Sequence, residues 1–251
     1  MNENNNENII NDEIAIKLED VHKSYGNHEV LKGLNLEVKK GELFGFIGKN
    51  GVGKSTTIDC ITGVKRFEKG TINLLDYDIS KEAVIAKSHF GYVASEPICY
   101  ENMTGYEYLE FVASVYKISE GEFVQNYQYL AKRLDLKEEQ LNQYVSSYSH
   151  GMKQKLAIIS ALIHEPKLLV LDEPFVGLDP VASHTLKEIM KKMCKNGTAI
   201  FFSTHVLEVA EKLCNKIAII KDGEIIEQGK MKDIIKNKSL EDIFMELVEN
   251  D

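Results

Sequence analysis

The 251-residue sequence predicts an α/β fold with a mostly parallel sheet, an antiparallel β part toward the N-terminus and an inserted α-helical part. Three observations carry this reading. Leu43–Ile47, Leu168–Leu171, Ala199–Phe202 and Ile217–Ile220 are near-continuous apolar runs, the pattern of strands covered on both faces, as in a parallel sheet. Ile14, Ile16 and Leu18 instead alternate with other residues, as do Leu34, Leu36 and Val38, which predicts half-buried strands of an antiparallel sheet. From about 100 to 163 the apolar positions recur at helical spacing.

Residues 1–12 are rich in Asn and Glu, cannot bury an apolar face and are expected to form a disordered leader. One domain is expected over 13–230. Within its helical part, Thr104 and Glu107 make a T-x-x-E capping box ahead of Leu109, Val112, Ala113 and Tyr116. Helical pattern continues through Leu130, Leu134 and Leu136, and again through Met152, Leu156, Ile159 and Ile163. A C-terminal tail over 231–251 carries Ser239 as a cap for Leu240, Ile243, Phe244, Leu247 and Val248. There is no internal repeat.

With 43% hydrophobic and 27% charged residues the composition is that of an ordinary globular chain. A net charge of −9 repels phosphate backbones over most of the surface, which argues against a nucleic-acid partner. No apolar run approaches the ~20 residues that cross a bilayer. The first residues, MNENNNENIINDE, lack the basic flank and apolar core of a secretory signal, so the expected compartment is the cytosol. Cys60, Cys99, Cys194 and Cys214 are widely spaced, show no metal-binding pattern and are expected as reduced thiols.

Directly after the run Leu43–Ile47, Gly48-Lys49-Asn50-Gly51-Val52-Gly53-Lys54-Ser55 fits G-x-x-x-x-G-K-[ST], with Thr56 next. Glycines let the backbone curl so that successive N–H groups point at phosphate oxygens, and the helix that follows adds its positive N-terminal end. Lys54 supplies charge to the β/γ-phosphates, and the Ser55 hydroxyl can ligate Mg²⁺. A chance match in a chain this long is about 1 in 100 at average residue frequencies, and the strand-to-helix context lowers it further.

Leu168-Leu169-Val170-Leu171-Asp172-Glu173 is an apolar strand ending in two carboxylates. Ligands of open α/β sheets bind at the carboxyl ends of strands, where these two residues emerge. Asp172 can hold Mg²⁺ through water, and Glu173 can orient and deprotonate an attacking water. Alone, such an ending is often a strand running into solvent; downstream of a phosphate cradle it is the expected partner.

At this point the chain resembles the ABC ATPases, a P-loop NTPase family. Tyr148-Ser149-His150-Gly151-Met152-Lys153-Gln154 is similar to the family's signature loop, with His150 and Met152 replacing the commoner Gly and Gln. Gly177-Leu178-Asp179 resembles the D-loop, Ser203-Thr204-His205 the switch histidine, and Tyr25 the aromatic that stacks on adenine. The resemblance covers roughly residues 13–230. It implies ATP and Mg²⁺ as cofactors and two domains facing head to tail, with Ser149, His150, Gly151 and Met152 of one closing the site begun by the other. His205 would contact the γ-phosphate. The second copy is either another of this chain or a paralogue.

One position departs from the family. The strand like Phe90–Val93 is usually followed by Pro and then Gln or Glu, whereas Ala94 and Ser95 stand here, with Glu96 next. Either Glu96 or a water substitutes, or this Q-loop contact is weak. The stretch Glu96–Thr104, the Tyr148–Lys155 loop and the ending Ser239–Leu247 resemble the exporter branch that pairs with separate membrane permeases. That implies drug or antimicrobial-peptide export, with the chain at the inner face of the membrane. The alternative is a non-transport ABC ATPase serving as an assembly scaffold or regulatory ATPase.

Overall fold

The computed structural model describes residues 13–236 and 238–249, so the expected leader at 1–12 lies outside the described residues. The N-terminal strands β1 (Ile14–Tyr25) and β2 (His28–Lys39) form an antiparallel hairpin, and β4 (Lys69–Leu74) and the short β5 (Tyr77–Asp78) extend it in the order β2-β1-β4-β5. Their register pairs Ile16 with Val38, Leu18 with Leu36 and Val21 with Leu34. All six of these side chains are buried: two-residue alternation turns Ile16 and Leu18, and Leu34, Leu36 and Val38, inward, and an irregularity between Leu18 and Val21, with Asp20 at φ 49°, brings Val21 to the buried side as well.

The second sheet has the order β10-β9-β3-β8-β7-β6. Its members are β3 (Leu43–Ile47), β6 (Phe90–Val93), β7 (Leu168–Asp172), β8 (Ala199–Thr204), β9 (Lys216–Lys221) and β10 (Glu224–Lys230). All pairings are parallel except the closing β9–β10 hairpin. The near-continuous apolar runs are explained by what covers each face. Phe44, Phe46, Val170 and Phe201 point into the core shared with the antiparallel sheet, whereas Ile47, Leu171, Phe202 and Ile219 point into the core shared with the helices. Phe201 packs on Phe44 and Phe46 with ring centroids 5.7 and 5.4 Å apart.

Helix α1 (Lys54–Ile61) follows β3, and the short α2 (Ala83–Lys87) precedes β6. The inserted block consists of α3 (Gly105–Val115), α4 (Glu120–Leu134), α5 (Glu138–Leu141) and α6 (His150–Leu162). The Thr104 hydroxyl accepts from Glu107 N at 3.2 Å, and Thr104 N donates to the Glu107 carboxylate at 2.7 Å. A second reciprocal box, Ser119 with Glu122, opens α4. The helical pattern that reached Leu136 stops two residues sooner, because Asp135 turns into the left-handed region at φ 52° and Leu136 is buried from a loop.

The chain continues through α7 (Pro180–Lys195), α8 (Leu207–Leu213), α9 (Met231–Ile235) and α10 (Leu240–Glu249). Ser239 does cap the last helix, its hydroxyl accepting from Asp242 N at 3.1 Å. Leu240 and Phe244 of α10 are buried in the same core as α6 and β7. The four cysteines are unpaired thiols, and burial pushes the Cys60 thiol up to about 11.

The inserted block joins the parallel sheet through a stack of Tyr116 on His164, with ring centroids 3.7 Å apart. His164 Nε2 lies 3.2 Å from the Phe90 carbonyl oxygen, while its buried Nδ1 has no partner among the described residues. Burial pulls this imidazole down to about 4, so it folds neutral. Because the folded value lies below the unfolded one, the stability that neutral His164 carries is intact above about pH 6.5 and is lost as pH falls toward 4. Urea unfolding of wild type and His164→Gln between pH 7 and 4 measures this. The wild type should lose more stability, by as much as about 1.4 kcal/mol per pH unit at the steepest point, and parallel curves would show that His164 contributes nothing to the slope.

Candidate functional site

Three strands deliver the site to one rim of the parallel sheet. In their register Ile47 of β3 lies opposite Thr204 of β8, and Ser203 of β8 lies opposite Asp172 of β7. The residues that follow, Gly48, His205 and Glu173, therefore leave the sheet side by side at its carboxyl edge. The loop from Gly48 runs into α1, whose first residue is Lys54. Gly53 sits before it at φ 112°, a conformation that residues with a Cβ rarely adopt, and a Cβ there would stand 2.9 Å from Leu31 Cδ2.

A cavity of about 350 Å³ occupies this rim, lined by Asn50, Gly51, Gly53, Lys54, Ser55 and Thr56 of the loop and by Ser95 and Glu173 across from it. Lys54 is 6% exposed and its ammonium donates to the carbonyls of Gly48 at 2.8 Å and Lys49 at 3.1 Å. Glu173 Oε1 is 3.7 Å from the same nitrogen. Burial pulls the Lys54 ammonium below its ordinary value, and the charges of Glu173 and Asp172 oppose that pull. The loop thus holds the Lys54 ammonium folded back on its own carbonyls at the cavity.

Asp172 and Glu173 differ in what surrounds them. Asp172 is 3% exposed and accepts a short hydrogen bond from the Ser203 hydroxyl. Ser203 accepts in turn from Glu173 N at 3.0 Å, so one hydroxyl ties the two carboxylate positions to β8. Glu173 has φ 48°, a strained value for a residue with a side chain, which aims its carboxylate into the cavity rather than along the strand. Its Oε1 lies 2.9 Å from His205 Nδ1. A carboxylate beside a cation and an imidazole, facing a cradle of N–H donors, can hold a polyanion and take a proton from a water next to it.

The remaining expected residues separate into those that reach this cavity and those that do not. Ser95 lines it, whereas Glu96 is exposed and does not, so of the two Q-loop candidates the fold brings the serine to the site. Tyr25 ends β1 with 44% of its surface exposed, and Lys23 and Lys65 stand 5.2 and 5.3 Å from its ring centroid. Ser149 caps α6, accepting from Met152 N at 3.3 Å, and its side chain is exposed outside the cradle of its own chain.

The start of α6 is joined to the loop that follows Glu173. The His150 ring covers Gly177, where a Cβ would come within 2.2 Å of it. Gln154 Nε2 donates to the Pro174 carbonyl at 3.2 Å, and Lys155 pairs with Asp179 at 2.9 Å. Asp179 also caps α7, accepting from Ala182 N at 2.8 Å; that bond and then Lys155 hold its carboxyl below the usual range. Ser203 and Gln154 were not singled out in the sequence as functional, since a serine in a strand and a glutamine in a helix carry no local signal of their own.

A family model described as "ABC transporter" matches residues 31–176. Linearmycin resistance ATP-binding protein LnrL of Bacillus subtilis is 36% identical over 219 residues, spanning 87% of this chain and 70% of that protein. Among solved structures, an ATP-binding subunit of an ABC transporter superposes with a TM-score of 0.89 at 34% identity, covering 93% of this chain and 99% of that one. The dimeric, post-hydrolysis ATP-binding cassette MJ0796 bound to ADP and Pi superposes with a TM-score of 0.79 at 26% identity, covering 86% and 98%.

The geometry of the loop generates one expectation. Gly53→Ala, which must place a Cβ at φ 112° against Leu31, should open the cradle and weaken adenine-nucleotide binding at least about tenfold, a loss of ~1.4 kcal/mol. Calorimetric titration measures it; affinity within twofold of wild type would mean that the loop shape is not what holds the ligand.

Proposed function

This chain belongs to the ABC transporter family as an ATP-binding, ATP-hydrolysing subunit, and from that premise we propose that it drives export through a separate membrane permease, working as one half of a dimer. The observation that carries the mechanism is the approach of Glu173 to both Lys54, at 3.7 Å, and His205, at 2.9 Å, across the mouth of the glycine-rich loop.

In this reading the loop N–H groups and Lys54 receive the phosphates, and Lys54 exchanges its carbonyl partners for phosphate oxygens. Glu173 is the general base. Its strained backbone already points it at the cavity, and His205, hydrogen-bonded to it, holds the attacking water against the γ-phosphate. Tyr25 offers its exposed ring to adenine. Mg²⁺ is required beside the phosphates, and the Ser55 hydroxyl with the buried Asp172 carboxylate is an all-oxygen donor set that fits this hard cation. When bound, it neutralises charge developing on the transferred phosphoryl group.

Ser149 is exposed and does not line the cradle cavity of its own chain, which supports a shared site. With two chains head to tail, Ser149, His150, Gly151 and Met152 of one close on the γ-phosphate held by the other, at the N-terminal end of α6. The dimeric MJ0796 cassette, 26% identical, supports this arrangement. Asp179 is bridged to the start of α6 by Lys155 and so lies close to that end of the helix.

A permease partner is supported by the surface next to Ser95. Ile98 is 85% exposed and Val115 62%, and the Tyr100 ring packs edge-on to Phe111, itself 40% exposed. An apolar patch of that kind suits a protein contact. Among the described residues no helix is long and apolar enough to cross a membrane, so attachment at its inner face falls to the permease. Export, with a drug or antimicrobial peptide as cargo, is favoured by the linearmycin-resistance relative.

Glu173→Gln should leave ATP binding intact, lower turnover by ~10²–10⁴-fold and accumulate an ATP-bound dimer. Turnover within threefold of wild type would remove Glu173 from its role. Lys54→Ala should lose affinity for Mg-ATP. Mixing Ser149→Arg chains with Lys54→Ala chains tests the shared site, because each variant alone spoils both sites and the mixed dimer keeps one. Activity above the sum of the parts is expected; a dimer that shows no gain excludes closure of the site by the second chain.

A further inference from the structure

A second cavity, of about 590 Å³, opens where the inserted helices meet α7, and none of the residues assigned above to nucleotide lines it. Its floor is apolar and comes from three elements: Leu130 of α4, Leu162 and Pro166 at the end of α6 and beyond, and Ile189 of α7, all buried. Its rim is cationic. Lys167 and Lys192 line it, and Tyr129 stands at the edge with Lys192 Nζ and Arg133 Cζ each 5.8 Å from its ring centroid. Arg133 also donates to the Tyr129 hydroxyl at 3.1 Å.

Two lining charges are already accounted for or opposed. Lys40 pairs with Glu13, and Glu165 contributes a carboxylate. Lys167, Lys192 and Arg133 have no carboxylate partner among the described residues. Lys192 and Arg133 stand in the last turns of α7 and α4, where the helix dipole favours a cation, but that does not account for Lys167, which lies outside any helix. On a chain of net charge −9, two lysines without a carboxylate partner, Lys167 and Lys192, stand at the rim of one open apolar floor, with Arg133 against Tyr129 at its edge.

We propose that this cavity binds a small anionic amphiphile, its acidic head at the rim lysines Lys167 and Lys192 and its apolar body on Leu130, Leu162 and Ile189. The volume suits a drug-sized ligand, and concave apolar pockets with a few convergent charges are the usual form of such sites. A bare anion would leave the floor wet, and a neutral apolar molecule would leave the cations unmatched. The site is independent of the nucleotide reading, since it shares no residue with the cradle.

The test is calorimetric titration of the full chain with decyl phosphate below its micelle concentration, with Mg-ADP saturating the cradle so that the phosphate head cannot enter there. Binding with Kd on the order of 100 µM is expected. Hexyl phosphate should bind at least about tenfold more weakly, because four methylenes leave the floor. Decyltrimethylammonium, with the opposite charge, should not compete. The double variant Lys167→Glu/Lys192→Glu, whose two positions lie outside the nucleotide machinery, should weaken decyl phosphate at least about tenfold and leave ADP affinity unchanged, which also certifies its fold. The proposal is overturned by no binding up to 1 mM, by equal binding of the cationic amphiphile, by a double variant within twofold of wild type, or by inorganic phosphate binding as tightly as decyl phosphate.

Discussion

The parallel register of β3, β8 and β7 is the constraint from which the site follows. Ile47 opposite Thr204 and Ser203 opposite Asp172 mean that three chain segments, far apart in sequence, turn out of the sheet at one level. Backbone hydrogen bonds between adjacent strands set that level to within a residue, and a slip by one would carry every side chain to the other face. The register is protected by the two cores it separates. Phe44 and Phe201 are committed to one and Ile47 and Phe202 to the other, so no strand can shift without burying its partners on the wrong side. The precision of the Glu173–His205 contact is thus inherited from packing several residues below it.

The cradle is electrostatically prepared. Lys54 is buried at a cost that its two carbonyl bonds and the nearby carboxylate offset, and it waits with its charge directed inward. In the proposed reading, a triphosphate meets an ammonium that needs only to change partners rather than to be desolvated. The same nearness restrains Glu173, which shares its oxygen between Lys54 and His205. Strain at Glu173 is sustained because Ser203 holds the backbone N–H of that residue and the side chain of Asp172 together.

Beyond the cradle, the start of α6 and the loop 174–179 form one unit. His150 over Gly177, Gln154 on the Pro174 carbonyl and Lys155 on Asp179 are three contacts of different kinds along two turns of helix. Pro174 follows Glu173 directly, so these contacts tie the loop after Glu173 to the helix end that carries Ser149. Gln154 Oε1, buried at that tie, has no hydrogen-bond partner among the described residues.

Much of this was legible in the residues alone. The bounds Leu43–Ile47 were readable because a two-sided core demands an unbroken apolar run, and the Thr104 cap because its partner lies only three residues on. The cradle and the Asp172-Glu173 ending were legible for a related reason, since each is a local string whose chemistry depends on neighbours in the chain, whereas His205 was legible only through the resemblance of Ser203-Thr204-His205 to the family's switch histidine. Other features depend on residues distant in sequence. Whether Ser95 or Glu96 reaches the phosphate cavity turns on how the chain leaves β6, and the fold chose Ser95. Ser203 as the tie between two carboxylates, His164 as a neutral buried imidazole and the cation-rimmed cavity of α4, α6 and α7 all arise between segments brought together only by folding. Local composition determines which elements form and which chemistry each can carry; the distances that turn carriers into a site are set by long-range packing, to which no short window of sequence has access.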